Sequence, residues 1–294
     1  RLGLVDTPKI RVKKFKIIID PVNSTGGIAI PLLLEKLGVE VVQINENLSG
    51  VFAHNPEPLP KNIRQICKEI KNGRFDLGIV VDPDVDRLVL VDENGEPFGE
   101  EYTLVAISDY VLSKTPGNTV SNLSSTKVLK LVTEKRNGNY YPAAVGEVNV
   151  VAKMKEVAAV IGGEGNGGII YPELHYGRDA LVGIALFLSF LAQSNRSASM
   201  LRSQYPNYFI SKNKIELESG INIEAILEKL KQKYANHPIS TIDGLKIDFD
   251  DDWIHLRKSN TEPIIRIFAE SKNLVTADHL ANKIISDIKE IITD

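Results

Sequence analysis

A single cysteine, Cys67, stands among 294 residues, so no internal disulfide can form, and a reducing compartment, the cytoplasm, is the expected home. Its setting, Ile66-Cys67-Lys68, is that of an ordinary amphipathic helix, which marks a structural thiol. Charge of one sign is scarce as well. The chain carries 35 basic and 38 acidic side chains, net −3, with no run of five like charges. Neither a nucleic acid nor an anionic membrane is therefore expected as a partner. Long apolar runs are absent too: the longest, Ala180 to Ala192, includes Gly183 and Ser189 and falls short of the roughly 18 to 20 residues of a membrane span, so it reads as a buried helix. The opening Arg1-Leu2-Gly3-Leu4 has neither an initiating Met nor an apolar signal core, which suggests a piece of something longer.

What is present is a chain 43% hydrophobic, long enough for two or three cores. Strand patterns at Lys16–Asp20, Val39–Ile44 and Leu77–Val81 alternate with helical spacing at Pro31–Leu37 and Asn62–Lys71, the rhythm of a largely parallel sheet covered on both faces. Leu88–Val91 and Glu93–Glu96 read as a strand and its turn. A second unit repeats the alternation, with helices at Glu101–Leu112, Lys127–Lys135 and Val148–Glu156 and strands at Thr119–Leu123 and Val157–Ile161. Beyond about Ser203 the texture changes to strands at Lys212–Leu217, Gly244–Phe249, Trp253–Arg257 and Ile264–Ala269, with helices at Ile223–Tyr234 and Thr276–Ile292. The expected fold is two consecutive α/β domains, 1–98 and 99–203, followed by a small α+β domain, 204–294.

Three segments carry chemistry. Asp82-Pro83-Asp84-Val85-Asp86-Arg87 follows the apolar strand directly, at the end where open α/β sheets place ligands. Alternate carboxylates there can converge on one hard cation, best Mg²⁺, with positions left for water or phosphate oxygen. An EF-hand is excluded because Arg87 occupies the place of the required glycine. Gly162-Gly163-Glu164-Gly165-Asn166-Gly167-Gly168 contains G-x-G-x-x-G, but Ile169-Ile170-Tyr171-Pro172 follows it and no helix begins there, so the dinucleotide reading fails. Glycines framing one carboxylate and one amide suit the paired hydroxyls of a sugar. The third segment, Arg257-Lys258-Ser259-Asn260-Thr261-Glu262-Pro263 with Arg266 beyond it, offers guanidinium, hydroxyl, amide and turn N–H donors suited to a phosphate dianion. The acidic stretch Asp248 to Asp252 reads as a solvated hairpin turn.

In this order, roughly 80 to 95 residues apart, the three segments resemble the α-D-phosphohexomutase superfamily. Asp82 to Arg87 is similar to that family's metal loop D-G-D-x-D-R with Pro83 for glycine, Gly163 to Gly167 to its sugar loop G-E-x-S-G with Asn166 for serine, and Arg257 to Pro263 to its phosphate loop R-x-S-N-T-E-P. Val145-Gly146-Glu147-Val148 resembles the short loop preceding the sugar loop, where some members place a histidine. Together with Tyr176-Gly177-Arg178-Asp179-Ala180, the sugar loop looks most like a phosphoglucosamine mutase-type branch.

The resemblance implies a phosphohexomutase-type fold and interconversion of hexose 6- and 1-phosphate through a phosphoserine enzyme and a hexose 1,6-bisphosphate. The hexose would be glucosamine, glucose or mannose. It also implies roles: Asp82, Asp84 and Asp86 as Mg²⁺ ligands, Arg87 and Glu147 as catalytic groups (with His175 the lesser candidate for general base), and Gly146, Glu164, Gly165, Asn166, Arg178, Arg257, Ser259, Asn260, Thr261 and Arg266 as substrate-binding residues. The family's phosphoserine domain should precede Lys16 and has no counterpart in this chain; Phe52-Ala53-His54-Asn55-Pro56 imitates the phosphoserine loop but puts Ala53 in the serine's place. The chain thus resembles domains two to four of a four-domain enzyme, its own first domain being the expected partner, and is itself expected to be inactive. A non-catalytic sugar-phosphate-binding relative and a Mg²⁺-dependent sugar phosphatase are the alternatives.

Overall fold

Asp6 caps a short first helix, α1 (Thr7–Lys13), by accepting the Lys9 amide at 3.1 Å. From there β1 (Lys16–Asp20), α2 (Gly26–Leu37), β2 (Glu40–Gln43), α3 (Arg64–Asn72), β3 (Leu77–Val81) and β4 (Leu88–Val91) follow in turn. The computed structural model describes residues 2–216, 221–259 and 264–293. These pack as two units, one running to Pro142 and including Gly146–Tyr205, the other taking Ala143–Val145 and what is described from Pro206 on.

The first sheet has the order β2-β1-β3-β4, with β1 parallel to both its neighbours and β4 antiparallel to β3. Ile17, Ile18 and Ile19 are all buried, as a central strand covered on both faces requires. The parallel register aligns Asp20 with Val80, so β1 and β3 end on the same side and both deliver acids there, Asp20 and Asp82. Helix α2 begins five residues before its expected start at Pro31 and holds the proline inside it. Proline as a first-turn residue is the usual signal, but here burial of Gly26 and Ile30 outweighs the one backbone bond that Pro31 cannot make. Cys67 lies half-buried on α3, and burial pushes its thiol pKa up, as suits an unreactive structural thiol.

The second α/β layer comprises α4 (Glu100–Lys114), β5 (Asn118–Asn122), α5 (Val128–Lys135), β6 (Tyr140–Ala143), α6 (Glu147–Glu156), β7 (Ala159–Glu164), β8 (Gly168–Ile170), α7 (Ala180–Ser194) and α8 (Ala198–Arg202), with sheet order β6-β5-β7-β8. The glycine-rich segment forms the end of β7, a tight tip and the start of β8. Glycine is poor in strands, yet pairing with β5 on one side and β8 on the other overrides the local preference. Helix α7 is the buried helix the apolar run foretold; Asp179 caps it, accepting the Leu181 amide at 2.7 Å. Among the described residues no helix is long and apolar enough to cross a membrane.

The second unit contains β9 (Phe209–Glu216), α9 (Ile223–Lys233), β10 (Ile239–Ser240), β11 (Leu245–Asp248), β12 (Trp253–Lys258), β13 (Ile264–Ser271) and α10 (Leu274–Thr293). Its antiparallel sheet, order β10-β11-β12-β13-β9, packs Leu245, Ile254, Leu256, Ile265 and Ile267 against Ile226 and Leu230 of α9 and Ile284 and Ile288 of α10. Within it His255 is 2% exposed, its Nε2 2.6 Å from the Asp243 carbonyl oxygen. Burial drives its pKa from 6.5 down to about 4. Between those values the unfolded chain takes up a proton that the folded unit refuses, so stability is complete above pH 6.5 and falls by up to about 3 kcal/mol as the pH drops through that window. Urea unfolding at pH 7 and pH 4.5 should show this loss in the parent chain and a smaller one in His255→Gln, the difference isolating His255 from other titrating groups.

Candidate functional site

The first loop is closed by its own aspartates. Asp82, buried at the end of β3, accepts the amides of Asp86 at 3.1 Å and Arg87 at 3.0 Å on Oδ1, while its carbonyl accepts the Val85 amide. That closure forces Val85 into the left-handed region, φ +59°, a strained place for a β-branched residue. Outside the loop, the Ser24 and Thr25 hydroxyls both donate to the Pro83 carbonyl, at 2.9 and 2.6 Å, and the Val85 carbonyl accepts the Ala180 amide at the start of α7.

The result brings one oxygen from each of Asp82, Asp84 and Asp86 within 4.8 Å of the others, a group that can hold a metal ion. Asp84 is exposed, and Asp86 Oδ1 is buried without a hydrogen-bond partner. An orphaned carboxylate oxygen beside two more carboxylates fits a hard divalent cation such as Mg²⁺. Burial above all, then the hydrogen bond and charge of Asp82, raise the Asp86 pKa to about 7, and Arg178 opposes the rise. Arg87 lies against Asp82 (Nε to Oδ2, 3.4 Å) and reaches Glu57 at 3.7 Å.

The glycine-rich hairpin is set against that loop. The Leu88 amide donates to the Gly167 carbonyl at 2.9 Å, and Arg87 pairs with Gly168 in an isolated antiparallel bridge. Glu164 is 5% exposed; its Oε1 accepts from Asn122 Nδ2 at 2.8 Å and from the Gly146 amide at 3.2 Å. The Gly165 amide donates to Ser125 Oγ, and a Cβ at Gly165 would stand 1.9 Å from Glu101 Oε2, so a side chain there would have to displace the Glu101 carboxylate. Asn166 turns its Oδ1 to the Gly168 amide. At Gly167 the backbone is left-handed, φ +88°, and a Cβ would meet the Leu88 carbonyl oxygen at 2.4 Å. Gly167→Ala is therefore expected to destabilise the chain by about 2 kcal/mol or more. Gly50→Ala, also at positive φ but with nothing within 4 Å, should show the backbone cost alone in the same urea titration.

Arg178 joins the two. Its guanidinium bonds Asp86 Oδ2 through Nη2 and Glu164 Oε2 through Nη1 at 3.1 Å, and its Nε lies 3.3 Å from Glu147 Oε2. The Glu147 carboxylate also accepts the Arg178 amide at 3.0 Å. Glu147 thus opens α6 directly after Gly146, itself at φ +115°. His175 is paired with Asp179 at 3.0 Å, the carboxylate that caps α7. His54 bonds the buried Asp20 carboxylate at 3.0 Å, on the side of the sheet that carries Asp82.

In the second unit, Arg257 of β12 is in register with Arg266 of β13. Cationic side chains side by side repel each other unless an anion lies near; Arg257 has Asp243 at 3.9 Å, and Arg266 has no ion-pair partner among the described residues. Ser259 is buried, and its amide donates to the Ile264 carbonyl. Asn260 and Thr261 lie outside the described residues. The contacts of Ser24, Thr25, Glu57 and Asn122 had no signal in the sequence, because each is made with a segment at least 30 residues away.

Three family models match this chain in succession: phosphoglucomutase/phosphomannomutase α/β/α domain II at residues 2–95, α/β/α domain III at 99–208 and the C-terminal domain at 214–286. A phosphoglucosamine/phosphogalactosamine mutase of Sulfurisphaera tokodaii is 34% identical over 99% of this chain and 64% of its own length. A phosphoglucomutase/phosphomannomutase of Thermococcus kodakarensis is 34% identical over 92% of this chain and 59% of its own. The chain therefore spans about three fifths of these curated relatives. Among solved structures, a phosphoglucomutase/phosphomannomutase family protein of Burkholderia thailandensis superposes with a TM-score of 0.81 at 25% identity, covering 97% of this chain and 62% of the other. The N-acetylphosphoglucosamine mutase of Aspergillus fumigatus, solved with GlcNAc-6P and magnesium, shares the fold at a TM-score of 0.68 and 14% identity, over 96% and 68% of the two chains.

Proposed function

Since this chain belongs to the phosphoglucomutase/phosphomannomutase family, carrying its domains II and III and its C-terminal domain in order, we propose that it is the metal-, sugar- and phosphate-binding part of a phosphohexomutase. In this reading the whole enzyme moves a phosphoryl group between the 1- and 6-positions of a hexose, by way of a phosphoserine supplied by a further domain and a hexose 1,6-bisphosphate. The named relatives favour glucosamine phosphate, with glucose or mannose phosphate next.

Asp82, Asp84 and Asp86 hold Mg²⁺ in this proposal. Bound there, the ion supplies positive charge against the phosphoryl group in transfer. Arg87, held between Asp82 and Glu57, offers a guanidinium to the equatorial oxygens. Glu164 and Asn166 take sugar hydroxyls, the Glu164 carboxylate being fixed in advance by Asn122, Gly146 and Arg178. Glu147, which meets Arg178 Nε at 3.3 Å beside this wall, is the carboxylate we assign to take a hydroxyl proton. Arg257, Ser259, Asn260, Thr261 and Arg266 grip the phosphate that is not reacting, which needs fixed donors and no metal.

One observation carries the reading: the acidic loop and the glycine-rich hairpin, 81 residues apart from Asp82 to Gly163, share a backbone bond between Leu88 and Gly167. It supports the reading because Asp82, Asp84 and Asp86 then share one wall with Glu164, the arrangement that transfer to a sugar oxygen would require. Calorimetry tests it. The 294-residue chain should bind glucosamine 6-phosphate, and Arg257→Ala should lose about 1.5 to 3 kcal/mol of that affinity, the range of a charged hydrogen bond. An unchanged affinity would make the Arg257 segment a plain turn.

A further inference from the structure

Arg178 lies at the one point where the acidic loop, the glycine-rich hairpin and the start of α6 meet, and its guanidinium is divided among one carboxylate from each: Asp86, Glu164 and Glu147. Its side chain is 17% exposed, as is that of Asp86, and that of Glu164 is 6% exposed. Carboxylates crowded at this depth repel one another unless a cation stands among them. The cation that touches all three is Arg178, with Arg87 3.9 Å from Asp86 on its other side. Asp86 accepts Arg178 on Oδ2, while its buried Oδ1 has no hydrogen-bond partner and lies 3.9 Å from Arg87 Nε, so one carboxylate faces two claims, the guanidinium's and a metal's.

We propose that Arg178 is a positioning residue and an internal counter-cation for the metal loop, competing with the divalent ion for Asp86 and tying the ion's arrival to the hairpin that carries Glu164. When a divalent cation takes Asp86, two like charges come to share one carboxylate. The guanidinium then loosens from Asp86 and rests on Glu164 and Glu147 alone. No bond to carbon, oxygen or phosphorus changes; only charge is redistributed. Two consequences follow. The loop binds its ion more weakly than three free carboxylates would, which keeps the ion exchangeable. And whatever the ion does to Arg178 reaches the sugar-facing carboxylate by a single side chain, so metal and hairpin are coupled reciprocally. This rests on the metal-loop reading above, and its signature runs opposite to that of a plain structural brace: removal of a brace weakens ion binding, whereas removal of a competitor strengthens it.

The test is titration of the 294-residue chain with Mn²⁺ and with Mg²⁺, followed by calorimetry, in the parent, Arg178→Met and Arg178→Lys. Arg178→Met should bind Mn²⁺ at least about fivefold more tightly, since a unit charge a few ångströms from the ion is gone. It should also melt at a lower temperature without metal and recover most of the difference in saturating Mg²⁺, by mass action. Arg178→Lys, which keeps the charge but not the fork that grips Asp86, should fall between the parent and Arg178→Met in affinity for the ion. In the parent, the ¹⁵N resonance of Arg178 Nε should shift as Mg²⁺ saturates. Should Arg178→Met fail to fold, the Arg178→Lys titration and the Nε resonance still decide the matter. Equal or weaker Mn²⁺ binding in folded Arg178→Met, or an Nε resonance that stays put with the ion bound, would overturn the proposal. A parent chain that takes up neither ion would instead overturn the metal-loop reading itself.

Discussion

Assayed alone with hexose 1-phosphate, Mg²⁺ and a catalytic amount of hexose 1,6-bisphosphate, the 294-residue chain is expected to form no hexose 6-phosphate above the level of an Asp84→Asn control. Joined to a preceding domain that bears a phosphoserine, the same residues are expected to gain at least about 10³-fold in turnover and to carry one acid-stable phosphate. The reason is chemical. Moving a phosphoryl group from one end of a sugar to the other needs a group that holds it covalently while the sugar turns, and binding sugar and phosphate equally well in ground and transition states lowers no barrier. The nucleophile-like groups described here are engaged otherwise: His54 holds the buried Asp20, and Asp82 holds the Asp86 and Arg87 amides that close its loop. A coupled assay decides it; turnover by the isolated chain well above the control would return the search for a nucleophile to His54, Asp82 or Glu147.

In that longer enzyme, Asp84→Asn should lower kcat by about 10³-fold or more and weaken Mg²⁺ binding, leaving the circular dichroism spectrum and the melting temperature nearly unchanged. Asp84 is the cleanest of the three positions. It is exposed, whereas Asp82 also fastens the loop's backbone and Asp86 also holds Arg178. A substitution at either of the latter mixes lost charge with lost architecture. Removing one carboxylate from an ion's ligand set removes both affinity and the placement of positive charge against the phosphoryl group. Wild-type turnover of Asp84→Asn in saturating Mg²⁺ would sink the assignment of this loop.

Local pattern carries some parts of this molecule and not others. Leu77–Val81 is a strand at the bounds its apolar run suggests, because five buried residues in a row between turn formers leave a central strand little alternative. The same holds for Leu88–Val91, and for the buried helix that opens at Asp179. Short or glycine-rich elements were illegible: α1, β6, β8 and α8 are stabilised by what they pack or pair with, and Gly162 to Glu164 form strand only because β5 and β8 flank them. Helix α2 likewise starts ahead of its proline because buried side chains, rather than propensity, decide where it begins.

The amino-acid sequence by itself determined the alternation of strands and helices, the three acids at every second position after an apolar strand, and the glycines framing Glu164, since each depends on spacing within a few residues. Only the tertiary structure decided that the acidic loop and the glycine hairpin form one wall, that Ser24 and Thr25 pin Pro83, and that Arg178 spends its guanidinium on Asp86, Glu164 and Glu147. Those contacts join residues 14 to 92 positions apart. Nothing local to either partner marks such a pair, because the energy that selects it is that of burying charge, and burial exists only once the sheets have assembled.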